Sequence, residues 1–373
     1  MLTKLKDTYN SYVREGSKDE KLVLLSVASI FLPFFYTAVV LFCVVLRAIL
    51  KKETRKMISA GVDMKLVIAF AVINVATPFV FKNYLGIACF VGFVFLFIYS
   101  LYLRTVLTER LFEKIANVIA GMSILPAFFS AFISDSRHDM RSPSFFLNPN
   151  YYGAVITFVI LLCVYRLLTT RRNFVLYAVS IVANLYGLWR ADSQSALISC
   201  ALGVLLLLIF TKKRKTFAVV LILGILSAYA IIYLPQLDFI LPRLGDAANN
   251  IAKRADIWKI GLKGFLEHPL FGRGTMGYLQ IYSRFGGKVN FHCHNLIIDL
   301  LLSFGVVGIA PLIVFVARPI VKAFKSRYAP IFFAVLIAVL VHSLVDVTLI
   351  WIQTGALAAL FISFPYIKEQ KND

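Results

Sequence analysis

Charged residues are scarce in this chain, and its cysteines show no paired spacing. Only 16% of the 373 residues are charged, 60% are hydrophobic, and the mean hydropathy is +0.81. A soluble fold cannot bury that much apolar surface. The five cysteines have no paired spacing that would indicate a disulfide framework or a zinc module, and the chain has no H-E-x-x-H motif. We therefore expect a polytopic helical membrane protein, because only helices satisfy their own backbone hydrogen bonds in lipid.

The absence of three sequence features argues against particular classes of protein. The chain shows no internal repeat, which weakens the case for an inverted-repeat transporter. It has no convincing nucleophile motif, which argues against an intramembrane protease. Polar residues precede the first apolar run and no small-x-small site follows it, so we expect no cleavable signal peptide.

The net charge of +20 could suggest a nucleic-acid partner, but the positions of the basic residues argue against one. Lysine and arginine cluster in short loops between apolar runs, which is typical of the cytoplasmic side of a membrane protein. These clusters are KKETRK from Lys51, YRLLTTRRN around Arg171, TKKRKT from Thr211 and RPIVKAFKSR from Arg318. We interpret these clusters as determinants of membrane topology. We therefore expect the protein to interact with membrane lipid and not with nucleic acid.

The apolar runs predict an all-α, polytopic transmembrane bundle of about twelve helices. The run Leu22–Leu50 is too long for one ordinary span and contains Pro33, so we interpret it as a hairpin of two short crossings. The other spans are expected at approximately 65–81, 84–103, 112–134, 151–167, 174–189, 193–210, 217–234, 293–316, 329–345 and 348–366. Both termini then lie in the cytoplasm.

This arrangement divides the chain into three parts. Residues 1–234 form about nine membrane spans, 235–293 form a large extracytoplasmic loop, and 294–373 form about three spans and a cytoplasmic tail. A loop of that length is usually functional. Apolar residues recur at three-to-four spacing from Ile251 to Leu262, so we expect a partly helical cap on the outer face.

Two stretches of the cap are candidates for binding. In RADIW, Arg254 and Trp258 are one helical turn apart and share a face. In HPLFGRG, a proline ends the helix, and Gly272 and Gly274 permit a tight turn with close approach of another backbone. The alternative is a plain amphipathic helix followed by a turn.

The stretch NFHCHN leads from the cap into the tenth helix. His294 and Asn295 lie there near the outer membrane–water boundary, where an imidazole can act as general acid or base. The alternative is a histidine that only caps the helix. His292, Cys293 and His294 alternate potential metal ligands, but a catalytic zinc site needs three protein ligands and no acidic or histidine partner is evident. We expect no metal.

Two further helix starts are expected on the outer side, FLNPNYYGA from Phe146 and RADSQSALIS from Arg190. Arg141 and Arg190 add positive charge at the level of the cap. Guanidinium groups can hold a diphosphate through two parallel hydrogen bonds. The alternative is that these arginines merely flank helices.

Taken in order, these motifs resemble the O-antigen ligase and polymerase family of bacterial polysaccharide assembly. The matching pieces extend over Asn148–Leu312, nearly half of the chain. They are NPN at Asn148, the small polar helix start Ser193–Ala196, R-x-x-x-W from Arg254, P-x-x-G-x-G from Pro269, H-N at His294, and F-G-V-V-G with Gly305 and Gly308.

The resemblance implies a metal-independent membrane glycosyltransferase without a cofactor. Such enzymes take a glycan from undecaprenyl diphosphate at the outer face of the bacterial inner or plasma membrane and join it to a glycan or lipid-linked acceptor. It implies that His294 is catalytic and that Arg254 holds the diphosphate. Further diphosphate-binding candidates are Arg190, Arg273 and Arg141, and supporting candidates are Asn295, His292, Trp258, Gly272, Gly274, Gln194 and Asp299. A flippase and a chain-length regulator are candidate partners.

The chain departs from the family pattern at two positions. Gln194 stands where the family often has an arginine, and Arg190 lies one turn earlier. Ser303 stands where the family often has a glutamate, and Asp299 is the nearest carboxylate on that helix. Asp346 and His342 are further ionisable residues at membrane level, which are usually functional.

Several alternatives stay open at this point. The motifs do not separate a repeat-unit polymerase from an O-antigen ligase, because both use the same donor. A flippase or transporter of the lipid-linked oligosaccharide is the main rival, although the polar residues concentrate at the outer boundary instead of mid-membrane. A structural partner in an assembly complex is a second rival.

Overall fold

The computed structural model describes residues 18–136, 140–234 and 247–368. The regular structure of these residues is all helical, and they contain no β-strand. The helices are α1 (described from 18 to 29), α2 (Phe34–Leu50), α3 (Lys52–Ala60), α4 (Met64–Val80), α5 (Tyr84–Val106), α6 (Glu109–Met122), α7 (Ile124–Phe129), α8 (Pro149–Thr169), α9 (Phe174–Ala191), α10 (Gln194–Phe210), α11 (Arg214–Tyr233), α12 (Ala247–Glu267), α13 (Tyr278–Ile281), α14 (Leu296–Ala323), α15 (Ala329–Ser343) and α16 (Ile352–Phe361).

The prediction of an all-α membrane protein is confirmed. Five described helical segments are long and apolar enough to cross a bilayer, and the bent pair α2–α3 would make a sixth. The five are α5, α6 with α7, α8, α9 and α14. Shorter apolar helices are α4, α10, α15 and the segment Ile352–Tyr366. Each span predicted after Leu50 coincides with a helix, whereas the total of about twelve crossings stays a prediction.

The long first run is broken at Pro33, as its sequence predicts. Pro33 precedes α2, and α1 and α2 lie antiparallel. The Thr37 hydroxyl donates to the Ser29 carbonyl (2.8 Å) near the turn, and Asp19 pairs with Arg47 (2.5 Å) at the far end. The chain bends by 88° between α2 and α3. The described helices therefore form a helical hairpin, whereas the prediction that each arm crosses the membrane stays a prediction.

Helix α8 lies at the centre of the bundle and packs against α9, α10, α15 and α16. Its start follows from the NPN sequence. The Asn148 side chain accepts a hydrogen bond from the Asn150 backbone (2.8 Å), and Pro149 occupies the first turn, where its missing N–H costs nothing. Gly153 allows close approach, because a Cβ there would lie 3.0 Å from the Ser193 side chain. The starts of α8 and α10 are thereby held side by side.

The cap residues pack on a break in α14. Gly305 has φ 60° and ψ −178°, which separates Leu296–Phe304 from Val306–Ala323. The 269–274 loop replaces the lost helical hydrogen bonds, since Val306 N donates to Pro269 O and Val307 N to Leu270 O, both at 2.9 Å. In return, Arg273 N and Gly274 N donate to the carbonyls of residues 302 and 303. The P-x-x-G-x-G and F-G-V-V-G pieces are therefore one structural unit.

We expect Gly305→Ala to destabilise the protein by roughly 3 kcal/mol. The backbone conformation at Gly305 is one that essentially only glycine adopts, and an added Cβ would lie 2.4 Å from the Leu270 backbone. Unfolding of the purified variant in detergent measures the loss. Gly92→Ala in α5 is the matched control, because nothing lies within 4 Å of its Cβ position. Equal stability of the two variants would contradict this explanation of the break.

The helix predicted in the cap is present as α12. It packs on α14, and a small apolar cluster between them contains Ile260, Tyr278 and Leu302. Part of the predicted external loop, 235–246, lies outside the described residues, as does the end of the predicted cytoplasmic tail, 369–373. The three-part division at 234 and 293, and the side of the membrane on which α12 lies, stay predictions.

Candidate active site

His294 is held in place by the chain on three sides. Its neighbour Asn295 caps α14 by accepting from Ile298 N (3.1 Å), and the same amide donates to Leu344 O (2.9 Å). This second bond ties the start of α14 to the end of α15. The indole of Trp258 on α12 donates to the His294 carbonyl (3.3 Å). His294 itself has φ 50°, a left-handed conformation that is uncommon outside glycine and is maintained by these contacts.

The imidazole of His294 pairs with Asp346, which lies just after α15. The distance from His294 Nδ1 to Asp346 Oδ1 is 3.0 Å. A carboxylate only accepts hydrogen bonds, so the ring proton of neutral His294 is on Nδ1 and Nε2 carries the free lone pair. Nε2 lies 3.4 Å from Asn290 Oδ1, which can accept a hydrogen bond from Nε2 once that nitrogen is protonated. The side chain of His294 is 23% exposed, so this nitrogen is accessible.

Asp346 is buried, but its charge is well compensated. Val347 N donates to Oδ1 (2.8 Å), and the Asn150 amide donates to Oδ2 (2.6 Å). Burial raises the pKa of Asp346, but the hydrogen bond from His294 and the charges of the surrounding histidines outweigh it, so the pKa lies well below its usual range. Asp346 is therefore ionised at neutral pH and orients His294.

The orientation of Asn150 is fixed from its other side. Its Oδ1 accepts from Arg141 Nη1 (3.2 Å) and from the Ser193 hydroxyl (3.1 Å), so its amide nitrogen must face Asp346. The polar chain continues from Ser193 to Ser195 (3.3 Å) and from Ser195 to Nε2 of buried His342 (3.1 Å). The NPN motif and the start of α10 thus meet at the carboxylate that orients His294.

His292 completes the cluster. Its ring lies 4.4 Å from the His294 ring, its Nδ1 accepts from His294 N (3.2 Å), and its Nε2 lies 3.7 Å from Asp346 Oδ1. Burial lowers the pKa of His292 to about 4; the charge of Asp346 opposes this lowering, and those of His294 and Arg254 add to it. His292 is therefore neutral at pH 7. It accepts the hydrogen bond from His294 N and so stabilises this loop, and it adds no charge to the site at this pH.

We expect this buried histidine to make the protein sensitive to acid. The unfolded chain protonates His292 near its ordinary pKa of about 6.5, and the folded protein only near 4. The unfolded state therefore binds more protons between these values, so stability is complete above about pH 6.5 and falls as the pH drops towards 4, by on the order of 2 kcal/mol. Thermal unfolding in detergent at several pH values should show a smaller decline for His292→Gln. An unchanged decline in that variant would contradict the assignment.

The predicted arginines divide into two groups. Arg254 lies on α12 close enough for its charge to lower the pKa of His292, and Arg141 is buried against Asn150. Arg190 donates from Nε to Ser130 O and from Nη2 to Ser134 Oγ, both at 3.0 Å. Arg273 pairs with Glu267 (2.5 Å) and lies over the Phe81 ring. Among the described contacts, none joins Arg190 or Arg273 to His294.

The other predicted supporting residues have separate places. Asp299 accepts from Cys293 N (2.9 Å) and so fixes the turn before α14. Gly272 and Gly274, with φ of 66° and 83°, form the loop at the α14 break. The amide nitrogen of Gln194 is buried and has no hydrogen-bond partner among the described residues.

Sequence reasoning did not place Asp346, Asn150 or Asn290 beside His294. Asp346 and His342 stand out as ionisable residues between the last two apolar runs, and Asn150 stands out within NPN. Their common location depends on tertiary packing. The structure also supplies the acidic partner that a metal site needs, because donor atoms of His292, His294 and Asp346 all lie within 4.8 Å of one another. That the activity needs no metal stays a prediction.

An apolar groove of about 590 Å³ lies between α4 and the 267–272 loop. Val72, Ala76, Val80 and Phe271 are among its lining residues, and Glu267 and His268 lie at its polar end. The groove adjoins Arg273 through this loop, so an apolar surface and a cationic side chain are close together at one end of α4.

Comparison with known proteins bears on this site directly. No curated protein matches the chain. Residues 179–313, which include Arg190, Gln194, Arg254, His294 and Gly305, match the family described as O-antigen ligase. The match supports glycosyl transfer in polysaccharide assembly by a membrane protein. The resemblance predicted from the motifs is thus confirmed: over residues 179–313, about a third of the chain, this protein is similar to the O-antigen ligase family.

Proposed function

We propose that this protein transfers a glycan from undecaprenyl diphosphate to the hydroxyl of an acceptor sugar, as a repeat-unit polymerase or an O-antigen ligase. The observation that carries the proposal is the pair of His294, before α14, with Asp346; Arg254 is near enough for its charge to lower the pKa of the adjacent His292. A single oriented base beside a cation suits this chemistry, because a lipid diphosphate is already a good leaving group.

His294 Nε2 is the proposed general base. It takes the proton of the acceptor hydroxyl while that oxygen attacks the anomeric carbon of the donor. The bond from the anomeric carbon to the phosphate oxygen breaks, and undecaprenyl diphosphate leaves with the bonding electrons. Asp346 stabilises the imidazolium that forms, and Asn290 Oδ1 lies where it can accept a hydrogen bond from the newly protonated Nε2.

Arg254 is the proposed diphosphate ligand. It lies on α12, one turn before Trp258, and that indole is bonded to the His294 carbonyl. This bond holds α12, which carries the cation, against the segment that carries the base. Two hydrogen bonds from one guanidinium can neutralise charge that develops on the leaving phosphate. Arg141 acts here through Asn150 as a positioning residue.

The membrane setting of the site follows from its neighbours. The site lies at the starts of α8, α10 and α14 and the end of α15, so one end of the bundle is polar. We place this end on the outer face of the bacterial inner or plasma membrane, with 235–293 as a cap between membrane parts 1–234 and 294–373. The groove beside α4 is apolar enough to accept an isoprenoid chain. A flippase that delivers the donor and a chain-length regulator are the proposed partners.

Arg254→Lys should lower transfer by about ten- to a hundredfold. Lysine keeps the charge but loses the planar pair of donors that holds a diphosphate. Initial rates with purified protein and lipid-linked donor measure the effect. Lys259→Arg on the exposed face of α12 is the matched control and should retain its rate. Near-normal turnover by Arg254→Lys would argue against bidentate holding.

Transfer and transport can be separated with protein reconstituted in vesicles. Donor and acceptor sugar are supplied on the same side, and both free undecaprenyl diphosphate and the joined glycan are measured. The proposed enzyme releases the lipid diphosphate in step with glycan joining. Movement of intact donor across the bilayer, with no release, would instead identify a flippase.

A further inference from the structure

We propose that His292, His294 and Asp346 form a binding site for Zn²⁺, through which zinc reversibly inhibits the protein. The inhibition rests on the proposed function, whereas the binding does not. One donor atom from each residue lies within 4.8 Å of the other two. We assign these atoms as His292 Nε2, His294 Nδ1 and Asp346 Oδ1, because both nitrogens are the ones nearest that carboxylate oxygen. Two imidazoles and one carboxylate are a ligand set that zinc accepts in proteins, with a fourth position left for water.

The distances fit one ion after small movements. Asp346 Oδ1 lies 3.0 Å from His294 Nδ1 and 3.7 Å from His292 Nε2. Two ligands about 2.1 Å from a tetrahedral ion are roughly 3.4 Å apart, a value between these two distances. The partial exposure of His294 gives solvent a route to the fourth position.

The groups behind the ligands hold the carboxylate in place. Asn150 donates to Asp346 Oδ2, which leaves Oδ1 directed at both histidines. Such supporting hydrogen bonds orient metal ligands and strengthen binding. Trp258 holds the His294 carbonyl and Asn295 ties the following residue to the end of α15, so the ligand loop is already formed.

Coordination would remove the base. When zinc binds Nδ1 of a neutral imidazole, the ring proton is on Nε2, so the nitrogen that accepts the substrate proton becomes a donor. His292 likewise moves its proton to Nδ1 and gives up the hydrogen bond from His294 N. This loss and the nearby positive charge of Arg254 oppose tight binding, so we expect zinc to be removed readily by a chelator.

Titration of the purified full-length protein with Zn²⁺ and Co²⁺ tests the site without measuring activity. We expect one bound ion per chain and the strong visible absorption of tetrahedral cobalt. His292→Ala and Asp346→Asn should each weaken binding at least tenfold, and His268→Gln, outside the cluster, should not. If either buried variant fails to fold, His294→Gln replaces it. Affinity unchanged by loss of these ligands, or no stoichiometric binding, would overturn the site.

The inhibitory part is tested by the rate of glycan transfer. Zinc should lower the wild-type rate and a chelator should restore it fully, whereas the remaining activity of His292→Ala should need at least tenfold more zinc for the same inhibition. A rate raised by zinc, or unaffected by bound zinc, would overturn this part. If the metal-free protein shows no transfer at all, the proposed function fails, and the cobalt spectrum still decides whether the site exists.

Discussion

His294→Gln is expected to lower glycan transfer by roughly 100- to 10,000-fold, the contribution typical of a general base. Glutamine fills similar space and can hydrogen-bond, but it cannot accept the proton of the acceptor hydroxyl. Binding of the donor should change little, because the proposed diphosphate ligand, Arg254, is untouched. Rates at saturating donor, measured with purified protein, therefore show the loss in kcat more than in KM.

Lys259→Gln is the matched control for this substitution. Lys259 lies on α12, its side chain is 72% exposed, and its described partner is Asp256, which lies outside the His294 cluster. The control should keep most of the wild-type rate. A His294→Gln rate close to that of the control would remove His294 from the mechanism.

Asp346→Asn is expected to cost at least roughly 100-fold in kcat, although it changes only one atom of the side chain. An asparagine amide that donates to His294 Nδ1 would move the ring proton to Nε2 and so reverse the tautomer that a base requires. An asparagine turned the other way would place its amide nitrogen against the Asn150 amide, which donates to Oδ2 in the wild type. Either orientation disturbs the cluster.

The tautomer itself can be observed by nitrogen NMR of labelled histidine, a measurement that a merely structural role would not change. We expect the His294 proton on Nδ1 in the wild type and on Nε2 in Asp346→Asn. Asp256→Asn on the exposed side of α12 is the matched control for charge loss. An Asp346→Asn protein with normal rate and normal tautomer would contradict the role of Asp346.

The helices could be predicted from the sequence because lipid imposes a simple rule on it. Apolar runs between basic loops give the position of each span. The break at Pro33 follows from the chemistry of proline, and the start of α8 follows from Asn148 and Pro149. These are local properties of the chain.

The site could be predicted only in part, because it joins segments far apart in the chain. Asn150 and Asp346 are 196 residues apart, and His294 and Asp346 are 52 residues apart. The sequence shows that these polar residues are unusual so close to apolar runs, but it does not show which of them lie together in the fold. Arg190 and Arg273 stay predicted diphosphate ligands, and their described partners within the chain, Ser130, Ser134 and Glu267, could not be read from the sequence.

The break in α14 likewise could not be predicted from the sequence. Gly305 lies within an apolar run that reads as continuous helix, and its conformation depends on the 269–274 loop that packs into the gap. A glycine in such a run is compatible with close helix packing as well as with a break. Only the paired hydrogen bonds distinguish the two.

The most direct test of the central claim is the length of surface glycan in cells whose only copy of the protein carries His294→Ala, with its amount in the membrane matched to wild type. We predict loss of the finished glycan. Accumulation of single repeat units would identify a polymerase, and accumulation of long lipid-linked chains would identify a ligase. Unchanged glycan at matched protein level would contradict the claim that His294 is the base of a glycosyl transfer.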